Sequence, residues 1–208
     1  ADIGADTITA CDSTLISTNT ITNGSYLWNT TNVSASGNLD LAIGDTYQGG
    51  IVFWLDGNGG GLISAPSDQG QVEWGCYGTA ISGADGTAIG TGSQNTIDIE
   101  TGCTTPGIAA DICANLILGG YSDWLLPSKD ELNQMWLNIG QGNGLGLGNI
   151  GGFADPWYWS STELHFERAR TIYFGNGLHT DDDKFVSYYV RAIRSFSSPI
   201  IDTTNSVM

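Results

Sequence analysis

Apolar and polar residues alternate in short runs along much of this chain, and glycine-rich turns separate the runs. The clearest example is the apolar stretch 51–55, which ends at the turn 56–61 and is followed by a second apolar run at 62–65. Two short apolar runs joined by a glycine turn predict a β-hairpin. The main domain is predicted to start just before it, at residue 43.

The C-terminal part shows the same alternation. Residues Ala169 to Phe174 predict one strand, 175–177 a glycine turn, and Lys184 to Phe196 a long final strand. Residues 1–42 are rich in Thr, Ser and Asn, with alternating stretches such as Thr7 to Ala10 and Ser25 to Trp28, and form a separate β segment or linker. We therefore expect three parts: 1–42, a domain at 43–197, and a tail at 198–208.

Helical spacing occurs in two places. Within 107–116, Ile108, Ile112, Cys113 and Leu116 fall on one face, which predicts a short helix with Cys113 directed into the core. A second helix is predicted after Ser128, because Ser at the N-cap followed three residues later by Glu131 forms a capping box. The glycine-rich stretch 140–152 lacks the neighbours of a phosphate-binding loop and is predicted to be a surface loop.

Composition and charge narrow the choice of partners. The chain has 30 glycines and 7 tryptophans and carries a net charge of −16, from 22 acidic and 6 basic residues. An acidic protein lacks the positive charge with which nucleic-acid binders neutralise phosphates, so nucleic acid is excluded as a partner. No run of apolar residues is long enough to cross a bilayer, so we expect no membrane insertion.

The four cysteines, at positions 11, 76, 103 and 113, show no Cys-x-x-Cys spacing, which argues against a zinc site. One or two disulfides are expected, with Cys76 and Cys103 as a candidate pair. Reduced, buried thiols are the alternative.

Four stretches carry a resemblance to a known family: Gly44-Asp-x-Tyr-Gln-Gly-Gly-Ile-Val-Phe, Gly120-Tyr-Ser-Asp-Trp-Leu-Leu-Pro-Ser-Lys-Asp-Glu-Leu, Trp159-Ser-Ser-Thr-Glu and Tyr189-Val-Arg-Ala-Ile-Arg-Ser-Phe. In this order they resemble the Lcl-type C-terminal domain of bacterial surface proteins and phage fibres, which is related in fold to formylglycine-generating enzymes. The resemblance implies an α+β, C-type-lectin-like fold with small twisted antiparallel sheets, two helices and long irregular loops. It also implies a secreted, cell-surface or virion-exposed location, and a homo-oligomer, as a trimer, is one state it suggests.

The segment 159–196 also resembles the variable proteins of diversity-generating retroelements, in which fixed positions alternate with positions that are varied to change the binding target. The resemblance implies fixed positions, here called the frame residues: Trp159, Ser160, Ser161, Ala169, Phe174, Gly177, Val190, Ala192 and Phe196. It implies varied ones, here called the variable positions: Leu164, His165, Phe166, Glu167, Arg168, Arg170, Ile172, Leu178, His179, Thr180, Asp181, Asp182, Asp183, Phe185, Val186 and Tyr188. Aromatic and arginine side chains among them are typical of protein interfaces.

Catalysis and metal binding are less well supported. The only histidines, His165 and His179, accompany no nucleophile motif, and the redox cysteines of formylglycine-generating relatives have no counterpart after Cys113, so we expect a protein that is not an enzyme. Residues 181–183 are three consecutive aspartates. Ca²⁺ needs six or more oxygens in a fixed geometry, and successive side chains on a strand point to opposite sides, so these aspartates are poorly placed to share one ion. A solvated acidic turn is predicted instead. No cofactor is expected, and Ca²⁺ at these aspartates is the alternative.

The function expected from the sequence is a non-enzymatic ligand- or receptor-binding (adhesion) module for a protein or glycan receptor on a cell surface. Two alternatives stay open: a lectin that depends on calcium or stacks sugars on Trp157, and a structural subunit of a fibre or virion. Trp124, Trp136 and Trp159 are predicted to be core residues. Arg191 and Arg194 are predicted to lie on opposite faces of one strand, one of them paired with Glu163 or Asp130 and the other free to face ligand.

Overall fold

The computed structural model describes residues 18–22, 25–29 and 41–197, so the predicted stretch Thr7 to Ala10 and the tail 198–208 lie outside the described residues. Three helices and eleven strands follow in chain order: β1 (Thr18–Thr22), β2 (Ser25–Asn29), β3 (Thr46–Tyr47), β4 (Gly50–Leu55), β5 (Gly61–Ser64), β6 (Gly70–Glu73), α1 (Gly92–Gly102), α2 (Ala109–Ala114), α3 (Lys129–Ile139), β7 (Trp157–His165), β8 (Arg168–Tyr173), β9 (Leu178–Asp183), β10 (Ser187–Val190) and β11 (Ile193–Phe196). The described part is thus of the mixed α+β class. β1 and β2 form an antiparallel hairpin of their own.

A four-stranded antiparallel sheet, in the order β11-β5-β4-β3, contains the predicted hairpin. Its turn is held by Asp56, whose Oδ1 accepts hydrogen bonds from the backbone N–H groups of Asn58 (2.7 Å) and Gly60 (2.9 Å). The aspartate therefore stabilises a turn, as predicted from the glycines around it.

A five-stranded sheet, in the order β6-β10-β7-β8-β9, contains most of the C-terminal segment. β10 pairs with β7 in parallel, whereas the other neighbours are antiparallel. β9 was not predicted, because its sequence Leu-His-Thr-Asp-Asp-Asp lacks the apolar alternation of a strand with one buried face. It lies at the edge of the sheet, where polar side chains are tolerated on both faces.

The single final strand predicted at 184–196 is wrong. The chain there forms β10 and β11, which belong to different sheets, and Arg191 and Ala192 connect them. The Arg191 guanidinium donates to the carbonyl oxygens of Ala65 (2.9 Å) and Gly151 (2.7 Å). The strand is interrupted because these buried contacts, distant in sequence, fix the crossing between the sheets.

The described residues contain three helices rather than the two expected. α2 and α3 lie where their patterns predict, and α3 begins with the predicted capping box: Ser128 Oγ accepts from Glu131 N–H, and Glu131 Oε2 accepts from Ser128 N–H at 2.7 Å. α1 escaped prediction because its sequence is largely polar and leaves Ile97 half exposed, so it shows little apolar periodicity.

Two apolar clusters form the core. One is built around Trp74, Trp124 and Trp159, and the other places α3 against β7 and β8. Trp124 and Trp159 are buried, as predicted, whereas Trp136 is only partly buried and donates from Nε1 to the Phe174 carbonyl oxygen (2.8 Å).

Three of the four cysteines lie among the described residues, and Cys11 lies outside them. Cys76 and Cys103 form a disulfide, which confirms the candidate pair, and Cys113 is a buried free thiol whose pKa is raised by burial. A buried thiol with a raised pKa is a poor nucleophile. Within the described ranges, no helix has the length and apolar character needed to cross a bilayer.

Candidate binding surface

The frame residues and the variable positions separate by burial. Seven of the frame residues, namely Trp159, Ser160, Ser161, Ala169, Phe174, Val190 and Ala192, are fully buried, and Phe196 is nearly so. Of the variable positions, Leu164, Phe166, Leu178 and Phe185 are exposed hydrophobic residues, and His165, Arg168 and His179 are exposed as well. Positions that hold the fold and positions that meet solvent thus alternate along one segment.

Ile172 is the exception and corrects the prediction for that position. Its side chain is 0% exposed and packs in the second core cluster, on the side of β8 covered by α3. It lies opposite Tyr158 of β7, which is also fully buried. Ile172 therefore belongs to the core and cannot contact a ligand at the surface.

Three exposed aromatic rings gather at one end of the five-stranded sheet, and we call Tyr77, Phe166 and Phe185 the aromatic tip. They are 47%, 48% and 52% exposed, and the Tyr77 and Phe185 rings meet edge to face with centroids 5.0 Å apart. Gly78 N–H donates to the Phe166 carbonyl oxygen (2.9 Å), which fastens the loop carrying Tyr77 to the turn between β7 and β8. Three separate loops thus contribute one ring each.

A buried ion pair supports the tip from below. Lys184 is fully buried; its Nζ pairs with Glu163 Oε1, donates to the Thr79 carbonyl oxygen (2.9 Å) and lies 4.4 Å from the centroid of the Trp74 ring. Burial lowers the pKa of Lys184, and the Glu163 carboxylate opposes this shift. Thr79 lies in the loop that carries Tyr77, and Lys184 directly precedes Phe185. The ion pair therefore holds both of these loops against the core.

The disulfide is the second support. Cys76 precedes Tyr77 directly and has a left-handed backbone (φ 49°), and its bond to Cys103 ties the loop to the end of α1. Tyr77 was missed at the sequence level because it lies outside the segment 159–196. Its position next to Cys76 was the one available signal, and it required the pairing to be known.

Charged side chains of β8 and β9 form a ladder beside the tip, here called the charged ladder and defined as Arg168, Arg170, Asp181 and Asp183. Arg168 contacts Asp181 (2.9 Å) and Asp183 (3.1 Å), and Arg170 Nη1 lies 3.6 Å from Asp181 Oδ1. These residues share one face because side chains two apart on a strand point the same way. On the same face, His179 Nε2 lies 3.0 Å from Asn133 Oδ1 of α3.

The solvated acidic turn predicted at 181–183 is wrong, because all three aspartates lie on β9. Asp181 and Asp183 face the arginines, while Asp182 points to the opposite side and accepts a hydrogen bond from the Tyr188 hydroxyl. Within the described ranges, no cluster of three or more His, Cys, Asp or Glu side chains is placed to hold a metal ion.

Tyr188 lies across the other face of the sheet. Its ring is 5.0 Å from that of Trp159 on β7, and its hydroxyl donates to Asp182 on β9, so from β10 the side chain extends across the sheet over β7 and β8. Burial raises the pKa of Tyr188, and the hydrogen bond to Asp182 adds to the shift. Although it is a variable position, Tyr188 covers part of the core.

The remaining variable positions are partly buried. Glu167 accepts a hydrogen bond from the Tyr77 hydroxyl (3.4 Å), the Val186 carbonyl oxygen accepts one from Trp159 Nε1 (3.3 Å), and Thr180 lies opposite Thr171. Trp157 and Tyr173, which are not variable positions, lie on the face that carries Tyr188, with ring centroids 5.1 Å apart and planes tilted by 52°. Trp157, the candidate sugar platform, thus packs against neighbouring aromatic rings, and Tyr173 was not identified from the sequence.

Neither late arginine is free to face a ligand, which corrects another prediction. Arg191 pairs with Asp68 (2.7 Å) and Arg194 with Asp123 (2.7 Å), and both guanidinium groups are buried. Glu163, expected to pair with one of them, pairs with Lys184 instead. The expected partners are occupied by other cations, since Glu163 pairs with Lys184 and Asp130 with Lys129.

The chain matches no protein-family model, and no curated protein matches it significantly.

Proposed function

We propose that this chain is a non-enzymatic receptor-binding module with a C-type-lectin-like fold, displayed outside the cell or on a virion, whose contact surface consists of the exposed variable positions and the aromatic tip. The observation that carries the proposal is the separation by burial within the segment 159–196. A surface with solvent-facing residues on a frame that is buried at every position except the turn residue Gly177 tolerates changes in specificity without loss of the fold.

The chemistry of the surface supports a macromolecular partner. Aromatic and arginine side chains contribute much of the binding energy at protein interfaces. Aromatic rings bury a large area while immobilising few rotatable bonds, and arginine adds directed hydrogen bonds. Phe166 and Phe185 are each about half exposed and lie in turns at the end of the sheet. An exposed surface of this kind fits a receptor better than a small ligand, which proteins usually bind in a concave pocket.

An extracellular location is supported by the disulfide. Disulfides persist in oxidising compartments and are rare in the cytosol. The Cys76–Cys103 bond links a loop of the surface to a helix of the scaffold, so the proposed site depends on a bond that is stable outside the cell.

The test is a triple variant, Phe166→Ala, Arg170→Ala and Phe185→Ala. Tyr188 is left unchanged, because its contact with Trp159 would make a loss of binding ambiguous. Binding of the fluorescently labelled chain to candidate host cells is measured by flow cytometry, with thermal melting as the check on folding. We expect unchanged melting and at least about a tenfold loss of binding, since several interface anchors are removed at once.

The control is Leu145→Ala with Ile150→Ala, two exposed apolar residues in the loop 140–152. This variant should bind as the wild type does. A folded triple variant that binds cells as well as the wild type would show that the contact surface lies elsewhere.

A further inference from the structure

The backbone that carries each ring of the aromatic tip is held by a contact with the rest of the fold. Tyr77 is tied by the disulfide at Cys76, Phe166 by the bond from Gly78 N–H to its carbonyl oxygen, and Phe185 by the buried Lys184 that precedes it. Loops whose backbone is already ordered lose less conformational entropy when the rings they carry enter a partner. Exposed aromatic groups on ordered loops are the arrangement expected of an interface anchor.

Charge around the tip is negative once internal pairs are taken into account. The chain has 6 basic residues, and every one of them lies within 4.0 Å of one of its own carboxylates. Arg168 and Arg170 beside the tip are thus balanced by Asp181 and Asp183. The net charge of −16 that is left over, together with Glu167 beside the tip, makes the electrostatic field that an approaching partner meets negative.

We propose that the aromatic tip docks onto a basic protein surface, with its rings entering an apolar pocket bordered by lysine or arginine. This inference rests on the proposed function and specifies its partner. Complementary charge steers association and selects among partners, while the buried rings provide affinity. A second copy of this chain does not fit, because it carries the same net charge of −16, and an anionic membrane surface is disfavoured for the same reason.

The experiment uses a random peptide library displayed on filamentous phage and selected in parallel on the wild type and on three variants of the full chain. The tip variant is Tyr77→Ser, Phe166→Ser and Phe185→Ser, which leaves the charge unchanged. The loop control is Leu145→Ser, Leu147→Ser and Ile150→Ser, which removes three other exposed apolar residues. The ladder variant is Arg170→Ala with His179→Ala.

We expect peptides selected on the wild type to combine Lys or Arg with aromatic or aliphatic residues. They should bind the tip variant at least about tenfold more weakly, bind the loop control unchanged, and lose affinity as salt is raised. Circular dichroism establishes that each variant is folded. If the triple tip variant does not fold, Phe166→Ser alone replaces it, and the same peptides should bind this variant more weakly than the loop control.

Several outcomes would overturn the inference: neutral or acidic peptides, no enrichment on the wild type, or undiminished binding to the tip variant. Peptides lost only on the ladder variant would overturn the tip as anchor and leave the proposed function standing, whereas peptides unaffected by both variants would overturn both. Tip-dependent binding to phosphatidylcholine vesicles would replace the protein partner by a membrane.

Discussion

Three basic side chains, Lys184, Arg191 and Arg194, are buried beside carboxylates, whereas Arg168 and Arg170 pair with aspartates at the surface. A charge removed from water needs its partner, because without it the cost of desolvation is uncompensated. A charge at the surface stays hydrated, so removing its partner costs little free energy of unfolding. Within one short segment, the buried cations therefore maintain the fold and the exposed ones are replaceable.

The largest effect is expected for Lys184→Met, which leaves Glu163 buried without its partner. We expect a loss of about 3–5 kcal/mol in the free energy of unfolding, measured by urea denaturation. Arg170→Met is the matched control from the surface group and should cost less than about 1 kcal/mol. Equal losses for the two variants would abolish the distinction between the two groups of cations.

The disulfide links the exposed surface to the buried scaffold, since it joins the loop of Tyr77 to the end of α1. Replacing both cysteines, Cys76→Ser with Cys103→Ser, should lower the free energy of unfolding by about 3 kcal/mol, because the bond closes a loop with a sequence separation of 27. Denaturation of the wild type with and without reductant gives the same comparison. Unchanged stability in both experiments would mean that the Lys184–Glu163 pair holds the loop by itself.

A smaller, pH-dependent effect is expected at Asp123. The hydrogen bond from Arg194 lowers the pKa of Asp123 in the folded protein below its unfolded value of about 3.9. The stabilisation is therefore complete above the unfolded value and is lost as pH falls through the lowered folded value. Because Asp123 is more than half exposed, we expect a contribution of less than about 1 kcal/mol.

The measurement is the difference in unfolding free energy between the wild type and Asp123→Asn as a function of pH. The difference should be constant near neutral pH and shrink in acid. A difference that does not change in acid would mean that the carboxylate charge of Asp123 adds nothing to its pairing with Arg194.

The smallest effect on stability is expected for Arg168→Ala with Arg170→Ala. The arginine–aspartate contacts of the charged ladder are at the surface and screened by water, so removing both arginines should change the melting temperature least of all these variants, and less still at high salt. Thermal melting at low and high salt measures it. A loss of several kcal/mol would place the charged ladder in the frame and remove it from the replaceable surface.

Local signals in the sequence were enough to predict the elements whose determinants are adjacent in the chain. The capping box at Ser128 and Glu131 marks the start of α3, and the glycine turn after Asp56 marks the hairpin of β4 and β5. Both depend on hydrogen bonds between residues no more than four positions apart. The helical spacing of apolar residues is also a local signal, and it predicts the buried side of α2, where Cys113 lies.

Features that depend on distant contacts could not be predicted in this way. Ile172 has the alternation of an exposed position but is covered by α3, and the break between β10 and β11 results from bonds that Arg191 makes to distant carbonyl groups. Tyr77 joins the proposed site through a disulfide whose pairing the spacing left open. The variable positions therefore include most of the proposed surface, together with the core residue Ile172, and omit Tyr77.

One feature of the four-stranded sheet bears on how the domain responds to a pulling force. Its outer strands, β3 and β11, come from opposite ends of the domain, and the rings of Tyr47 and Phe196 meet across them with centroids 5.2 Å apart. Tension applied through these two ends would be carried by this sheet and the contact between the rings. The five-stranded sheet lies outside that load path, so tension applied between the two ends would leave the strands that carry the proposed binding surface unloaded.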